Sequence, residues 1–469
     1  MEEAYRQREI MAKPIHDADG INSSIKQRVQ ERKDFFFQSC SFLFFIQCAV
    51  QIYFINKIKP IDNRWLLCYN YPLCEDKRKG NRMSKVSTVG AVRHHMSFRE
   101  LEKAVLHFCG HFAMPLIATV LAVVTAVIVP PDAAYIDYFD FKTLSCLFAT
   151  LAVVCALRNI RFFTFLARKI VELTGNARTA VLALLYITFI GSMLIANDMA
   201  LLTFLPLSFG VLCATGQEKY LPFTFIMQNI SANLGGMLTP FGNPQNLYLY
   251  EKFQIPTGEF TAIMLPPFLL AVALITLSVV FVKPVKLTLE DKETILLPKG
   301  KTAVYLALFL VSVLTVFRLI DFRLCLLVVV IGILLFDRKA LGQVDYGLLL
   351  TFCAFFVFAG NLARIEAVEE LLSSLLSKNP LVVSSLSCQF ISNVPSAILL
   401  SAFTEDYRSL LWGVNIGGTG TLIASLASLI TFRTYTARNK GKTLSFLGLF
   451  SLISFAFFGI LLAFCLMIQ

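Results

Sequence analysis

Charge is scarce in this chain of 469 residues: Asp, Glu, Lys and Arg make up 16% of it, against about 25% in an ordinary soluble domain. So few polar groups cannot coat a soluble protein of this length, which excludes soluble enzymes and disordered tails. Histidine is scarcer still, with five residues. His94 and His95 stand in a basic segment without an acidic ligand pattern, so metal chemistry there has no support. The twelve Cys show no paired metal-type spacing. Cys146, Cys155, Cys213, Cys325, Cys353, Cys388 and Cys465 fall inside apolar runs and read as small buried hydrophobes rather than a disulfide frame. A Walker-type Gly-rich Lys loop is missing, which argues against an ATP-driven pump in one chain. No cluster of His, Asp and Cys suggests covalent chemistry, so the chain is not expected to be an enzyme, and no cofactor is expected.

What is present is apolar. Hydrophobic residues make up 56% of the chain, with 43 Phe, and the mean hydropathy is +0.68. The apolar residues fall in long runs separated by short charged patches, the pattern of an all-α polytopic membrane protein whose partner is the lipid bilayer. The net charge of +11 sits in the loops between runs, which fits Lys- and Arg-rich cytoplasmic loops and gives no reason to invoke nucleic acid.

Residues 1–96 form an N-terminal extension. Its one apolar run, at 35–55, contains Gln38, Gln47 and Gln51 and reads either as an extra helix or as part of a poorly structured segment. Beyond it the sequence divides into a first core span at 97–135, a first repeat at 136–290, linking spans at 291–340 and a second repeat at 341–469. Two apolar pairs are split by polar breaks, IANDMA within 179–213 and FISNVPSA within 380–403. Treating both as re-entrant hairpins gathers the basic loops on one side. Those loops carry Arg158, Arg161, Arg168, Lys169 and Arg178, then Lys283 and Lys286, Arg338 and Lys339, and Arg433 and Arg438. By the positive-inside rule that side is cytoplasmic, in the inner membrane of a bacterial-type cell.

Two stretches align without a gap at a shift of 182 residues, NLGGMLTPFGNPQNL from Asn233 and NIGGTGTLIASLASL from Asn415. Each follows a hairpin break, and each half opens with Asp and an aromatic residue, Asp140-Phe141 and Asp345-Tyr346. The loop charges place Asp140 outside and Asp345 inside, so the halves are inverted, a design of secondary transporters with hairpins and broken helices.

Irregular polar backbone at bilayer depth persists where it faces protein, water or a ligand. Amide groups at helix starts suit an anion, and carbonyls at helix ends suit a cation. The first break offers Thr239, Asn243, Gln245 and Asn246, with Gly242 permitting an unusual backbone angle. The second offers Thr421, Ser425 and Ser428 without proline, and reads as a break or only a softened helix. For the Gly235-Gly236 and Gly417-Gly418 pairs, packing and function are both open. The substrate-binding candidates are therefore Asn197, Thr239, Asn243, Asn246, Ser392, Asn393, Thr421 and Ser425. The ion-binding or coupling candidates are Asp198, Asn197, Gly242 and Asn393. Asp198 reads as a Na+ ligand, a carrier of the coupling proton, a cap on the second hairpin arm, or a carboxylate that merely lies at the interface.

With ANDMALLTFLPL at 196–207 and SNVPSAILL at 392–400 added to the aligned pair, the sequence resembles the ion-transporter superfamily over residues 97–467. That superfamily includes divalent-anion/sodium symporters, citrate carriers and arsenite permeases. The resemblance implies hairpin tips and broken helices that bind Na+ and solute, an elevator-like movement, and a homodimer. The Ser-Asn-Thr tips of the dicarboxylate branch fall on Ala196-Asn197-Asp198 and Ser392-Asn393-Val394. Both asparagines remain, while one serine and both threonines do not. The Asn-Asp tip followed by Leu-Pro looks more like the arsenite-permease side. The expectation is transport of a small inorganic or organic anion coupled to Na+ or H+, with an arsenite-type permease or a cation/proton antiporter as alternatives.

Overall fold

The computed structural model describes residues 113–286, 296–439 and 441–469. The extension at 1–96, with its apolar run, lies outside the described residues. The described chain is helical throughout, and its one β-bridge joins Asn176 to Lys286. Seven of its helices are long and apolar enough to cross a membrane. With the shorter apolar helices, these make an all-α polytopic membrane protein.

After α1 (Ala113–Ile128) the first half runs α2 (Phe141–Asn159), α3 (Phe162–Glu172), α4 (Ala177–Ile195), α5 (Asn197–Ala214), α6 (Leu221–Gly235), α7 (Pro244–Lys252) and α8 (Thr257–Ser278). Three linking helices follow: α9 (Lys299–Val316), α10 (Phe322–Phe336) and the short α11 (Arg338–Leu341). The second half repeats the order: α12 (Tyr346–Ala363), α13 (Glu366–Lys378), α14 (Pro380–Ile391), α15 (Asn393–Leu400), α16 (Tyr407–Ile416), α17 (Leu426–Arg438) and α18 (Thr443–Ile468). Each half is thus a long helix, a short one, a helical hairpin, a helix broken in the middle and a closing long helix.

The Asp-aromatic pairs open α2 and α12 as N-caps. Asp140 Oδ1 accepts from the Thr143 amide at 2.9 Å, and Asp345 Oδ1 accepts from Leu348 at 2.9 Å. The two helices run in opposite directions. At one end of the bundle Lys142, at the start of α2, pairs with Glu251 of α7 at 2.6 Å. Arg364, just past α12, pairs at that end with Asp132 at 2.7 Å, and its guanidinium holds that carboxyl below the usual range. At the opposite end Asn159, closing α2, donates to Asp337 at 2.8 Å, before α12 begins.

The two hairpins hang from opposite ends. The first starts where Ala177 donates to Val285 O (2.8 Å) and finishes beside Tyr220, whose hydroxyl accepts from Lys283 N (3.1 Å). Both of its feet therefore meet one short segment after α8. In the second, α14 lies alongside α16 in parallel, with Gly413 against Leu381 and Ser384 and Gly417 against Cys388. The chain leaves α15 and re-enters α16 at the end where Tyr407 donates to Glu259 at 2.6 Å.

Packing repeats this exchange. α1 lies chiefly on α12, while α9 and α10 lie on α2. In each hairpin the first arm packs on the broken helix of its own half, α4 on α6 and α14 on α16. The second arm packs on its own half as well and also reaches the other, α5 onto α17 and α15 onto α7. The two breaks and the two hairpin tips are thereby brought to one junction inside the protein.

Candidate functional site

Each hairpin turns on a single residue held at positive φ, Ala196 at φ 66 and Ser392 at φ 78. Non-Gly residues adopt that region at a cost and persist there where surrounding contacts fix them. The residue after each turn is the tip asparagine, and both tips behave alike. Asn197 Oδ1 accepts from the Asp198 amide at 2.9 Å, and Asn393 Oδ1 accepts from Val394 at 2.9 Å. Each asparagine, the first residue of its second arm, thereby occupies the amide that follows it. The Asp198 amide is thus taken up by its neighbour's side chain, and Asp198 Oδ1 is left buried without a hydrogen-bond partner.

From the first tip a chain of amides runs into the breaks. Asn197 Nδ2 donates to Asn233 Oδ1 at 3.1 Å, and Asn233 Nδ2 donates to Asn229 O at 3.1 Å. Asn229 donates across the halves to Ser428 Oγ at 3.1 Å. A second hub is Asn415, which donates to Asn246 Oδ1 at 2.6 Å and to Leu411 O at 2.8 Å. Its own oxygen accepts from Asn243 Nδ2 at 3.1 Å and Gln245 Nε2 at 3.3 Å. Gly418 brings the second tip to the first break: a Cβ there would lie 3.2 Å from Asn393 Nδ2 and 3.5 Å from Asn233 Oδ1. These asparagines and Gln245 are almost fully buried.

The candidate threonines hold the breaks to the hairpins. Thr239 donates to Met193 O at 2.8 Å and Thr421 donates to Gln389 O at 3.0 Å. The two carbonyls stand at matching places, three residues before each turn. Asn246 Nδ2 donates to Gly236 O and Met237 O, both at 3.2 Å, satisfying carbonyls freed by the first break. Ser425 accepts from the Ser428 amide at 3.2 Å and shares a hydrogen bond with its hydroxyl, capping α17. Ser392 donates to Asn393 Oδ1 at 3.3 Å and to Ala424 O at 3.4 Å.

Two open points are decided. Gly242 is not in the positive-φ region. It is glycine for lack of space, because a Cβ would press on Gly236 O and come within 2.6 Å of Thr239 Oγ1. The second break is a true interruption and not a softened helix: helix stops at Ile416 and resumes at Leu426, with Gly420 at φ 115 between them. Sequence reasoning passed over Asn233 and Asn415 as site residues although they head the two aligned stretches. It also missed Asn229 and Gln389, for which no motif stood out.

Known proteins share this arrangement of sequence. Residues 104–407 match the citrate transporter family. The chain is 33% identical over 296 residues to an uncharacterized transporter of Methanocaldococcus jannaschii, covering 63% of this chain and 81% of that protein. It is 29% identical over 304 residues to the inner membrane protein YbiR of Escherichia coli, covering 63% and 80%. A shorter match, 33% identical over 162 residues, reaches the silicon efflux transporter LSI3 of Oryza sativa, covering 34% of this chain and 32% of that one. A multi-span helical bundle and a family match across 104–407 lead to one conclusion: the chain belongs to the citrate transporter family of the ion-transporter superfamily and is a multi-pass membrane transporter.

Proposed function

We propose that the protein is a secondary carrier that moves a small inorganic or organic anion across the inner (cytoplasmic) membrane, coupled to Na+ or H+. The observation that carries this reading is the junction itself. The second hairpin arms begin there, so their first amides offer partial positive charge to an anion. Side-chain oxygens of Asn243 and Gln245 are buried there without donors, which suits a cation. In this reading the hairpins are re-entrant and move with the broken helices as one unit. The static unit is built from α1, α2, α9, α10 and α12, and the assembly is a homodimer. The domain limits read from the sequence carry over into this proposal.

A second reading, an arsenite-type permease, is favoured by the neutrality of the junction's bonded side chains, which are amides and hydroxyls. The rice relative named for silicon efflux points toward inorganic solutes as well. The test is uptake and counterflow in proteoliposomes with sulfate, phosphate, succinate, citrate and arsenite, with and without imposed Na+ and pH gradients. One solute should exchange without a gradient and accumulate when a gradient is imposed. Uptake that no gradient alters would overturn coupled transport.

Asp198 bears on coupling. D198N keeps the shape of the tip, because the side-chain bond at the tip is made by Asn197. Solute exchange should persist in this variant while gradient-driven accumulation falls. Accumulation unchanged in D198N, with the same dependence on Na+ and pH, would remove Asp198 from coupling and with it the antiporter alternative. Sidedness is checked by single cysteines in a Cys-free chain: one at Gly216 should label from the cytoplasm and one at Thr404 from outside.

A further inference from the structure

The two halves match in their helices but differ in how they treat a cation. In the second half Gln389 reaches from the hairpin into the break. Its Nε2 donates to Gly417 O at 2.8 Å and Thr419 O at 3.0 Å, as well as to Ser385 O in its own helix at 3.2 Å. Its Oε1 accepts from the Thr421 amide at 2.9 Å. Backbone groups on both sides fix which end of the amide is which. Gly420 is glycine partly for this reason, because a Cβ there would press on Gln389 Oε1. The carbonyls that a cation would use in this break are thus already turned onto an NH2 group.

The first half has Met193 at the matching place, three residues before the turn, and Met has no N–H to give. Asn246 satisfies the carbonyls of that break from the other side, leaving the side chains of α7 as ligand candidates. Their polarity is fixed as well. Asn415 Nδ2 must face Leu411 O, so its oxygen faces Asn243 and Gln245, and both turn their NH2 groups toward it. Asn243 Nδ2 is further held by Asn233 O at 3.2 Å. Asn243 Oδ1 and Gln245 Oε1 are consequently directed away from the hub, buried and without a donor. Ser425 and Ala427 stand at the corresponding places in the second half, where the Ser425 hydroxyl is already paired with Ser428. Asp198 places a carboxylate in the first half where the second has Val394. Among the described residues, no side-chain oxygen between Gly417 and Ser425 is left buried and unpartnered.

We propose that the chain binds one Na+-like cation, at the first break through Asn243 and Gln245, and that the Gln389 carboxamide stands where a second cation would bind. The proposal rests on the cation-coupled reading above and fixes its ion count. Two buried side-chain oxygens left without donors suit a hard monovalent cation. An amide NH2 satisfies the same carbonyls without bringing net charge into the bilayer.

The test is saturation binding of radioactive Na+ to the purified full chain in detergent, with choline replacing Na+ to hold ionic strength. The wild type should bind one Na+ per chain, with a Hill coefficient of about one. Gln245→Met keeps the side-chain length but removes the ligand oxygen, and should raise the Kd at least about tenfold. Gln389→Met restores the first-half residue at the second site and should raise the count to two. Gln389→Glu, whose carboxylate cannot donate to the two carbonyls, should do the same. Two Na+ per wild-type chain would overturn the single-site assignment while leaving Na+ coupling in place. An unchanged count of one in a folded Gln389 variant would overturn the stand-in role. A wild type that exchanges solute yet binds no Na+ would overturn the Na+ reading itself. The wild-type count decides between one site and two even if every variant fails to fold.

Discussion

Alanine at Asn415 should abolish transport in protein that still reaches the membrane. This side chain is the main bond between the halves at the junction. It donates to Asn246 at 2.6 Å and accepts from Asn243 and Gln245 at 3.1 and 3.3 Å, all of them residues of the other half. Truncation leaves three buried amide groups each short of a partner, and each such loss costs about 1–3 kcal/mol. The three residues include the ligand candidates of the first break, so positional error enters the site directly. Aspartate should do no better, because it places an acceptor oxygen opposite Asn246 Oδ1 and Leu411 O. Asn233, the counterpart in the other half, accepts one cross-element bond from Asn197, so N233A should be milder than N415A. Solute exchange normalised to monodisperse, membrane-extracted protein reads the difference. Wild-type exchange by monodisperse N415A would take the hub out of the mechanism.

Much of this architecture is legible in the sequence because a bilayer makes polar interruptions conspicuous. Asn197-Asp198 and Ser392-Asn393 stand out inside apolar arms, and both turn out to mark sharp hairpin turns at Ala196 and Ser392. The Asp-aromatic pairs register the halves because each Asp must cap a helix. What stays hidden depends on partners far away in sequence. Thr239 and Thr421 are visibly equivalent, yet that each grips the carbonyl three residues before a turn needs the fold. Asn233 and Asn415 sit near the ends of helices that carry other polar residues too, and only the meeting of the breaks in the fold makes them hubs. Gln389 looks like one polar residue in a hairpin arm until the break it spans is brought beside it. Glycine is ambiguous for a related reason. Sequence cannot tell a residue chosen for its backbone angle, such as Gly420, from one chosen for space, such as Gly242.

Space alone separates the two glycines that open the breaks, Gly236 and Gly418, which occupy matching places in the aligned stretches. A methyl at Gly236 would press on Asn243 Oδ1 and come within 2.7 Å of Gly242 O and 2.8 Å of Asn243 Cγ. One neighbour is backbone, and the other is a side chain held at Asn233 O and Asn415 Oδ1. Neither can yield without moving the first break, so Gly236→Ala should cost about 1–3 kcal/mol in strain or displaced structure. Expressed as transport, that is roughly a tenfold loss or more. A methyl at Gly418 would meet Asn393 Nδ2 at 3.2 Å, Asn415 O at 3.3 Å and Asn233 Oδ1 at 3.5 Å. A few tenths of an ångström of movement by the Asn393 side chain, with a similarly small shift at the Asn415 carbonyl, would relieve it. Gly418→Ala should therefore stay within about threefold of wild type, well under 1.4 kcal/mol. Initial exchange rates of the two variants at matched protein levels make the comparison. Equal losses would mean that space at the first break does not set the geometry of the site. A larger loss at Gly418 would move the sensitive contact to the second tip, beside Asn393.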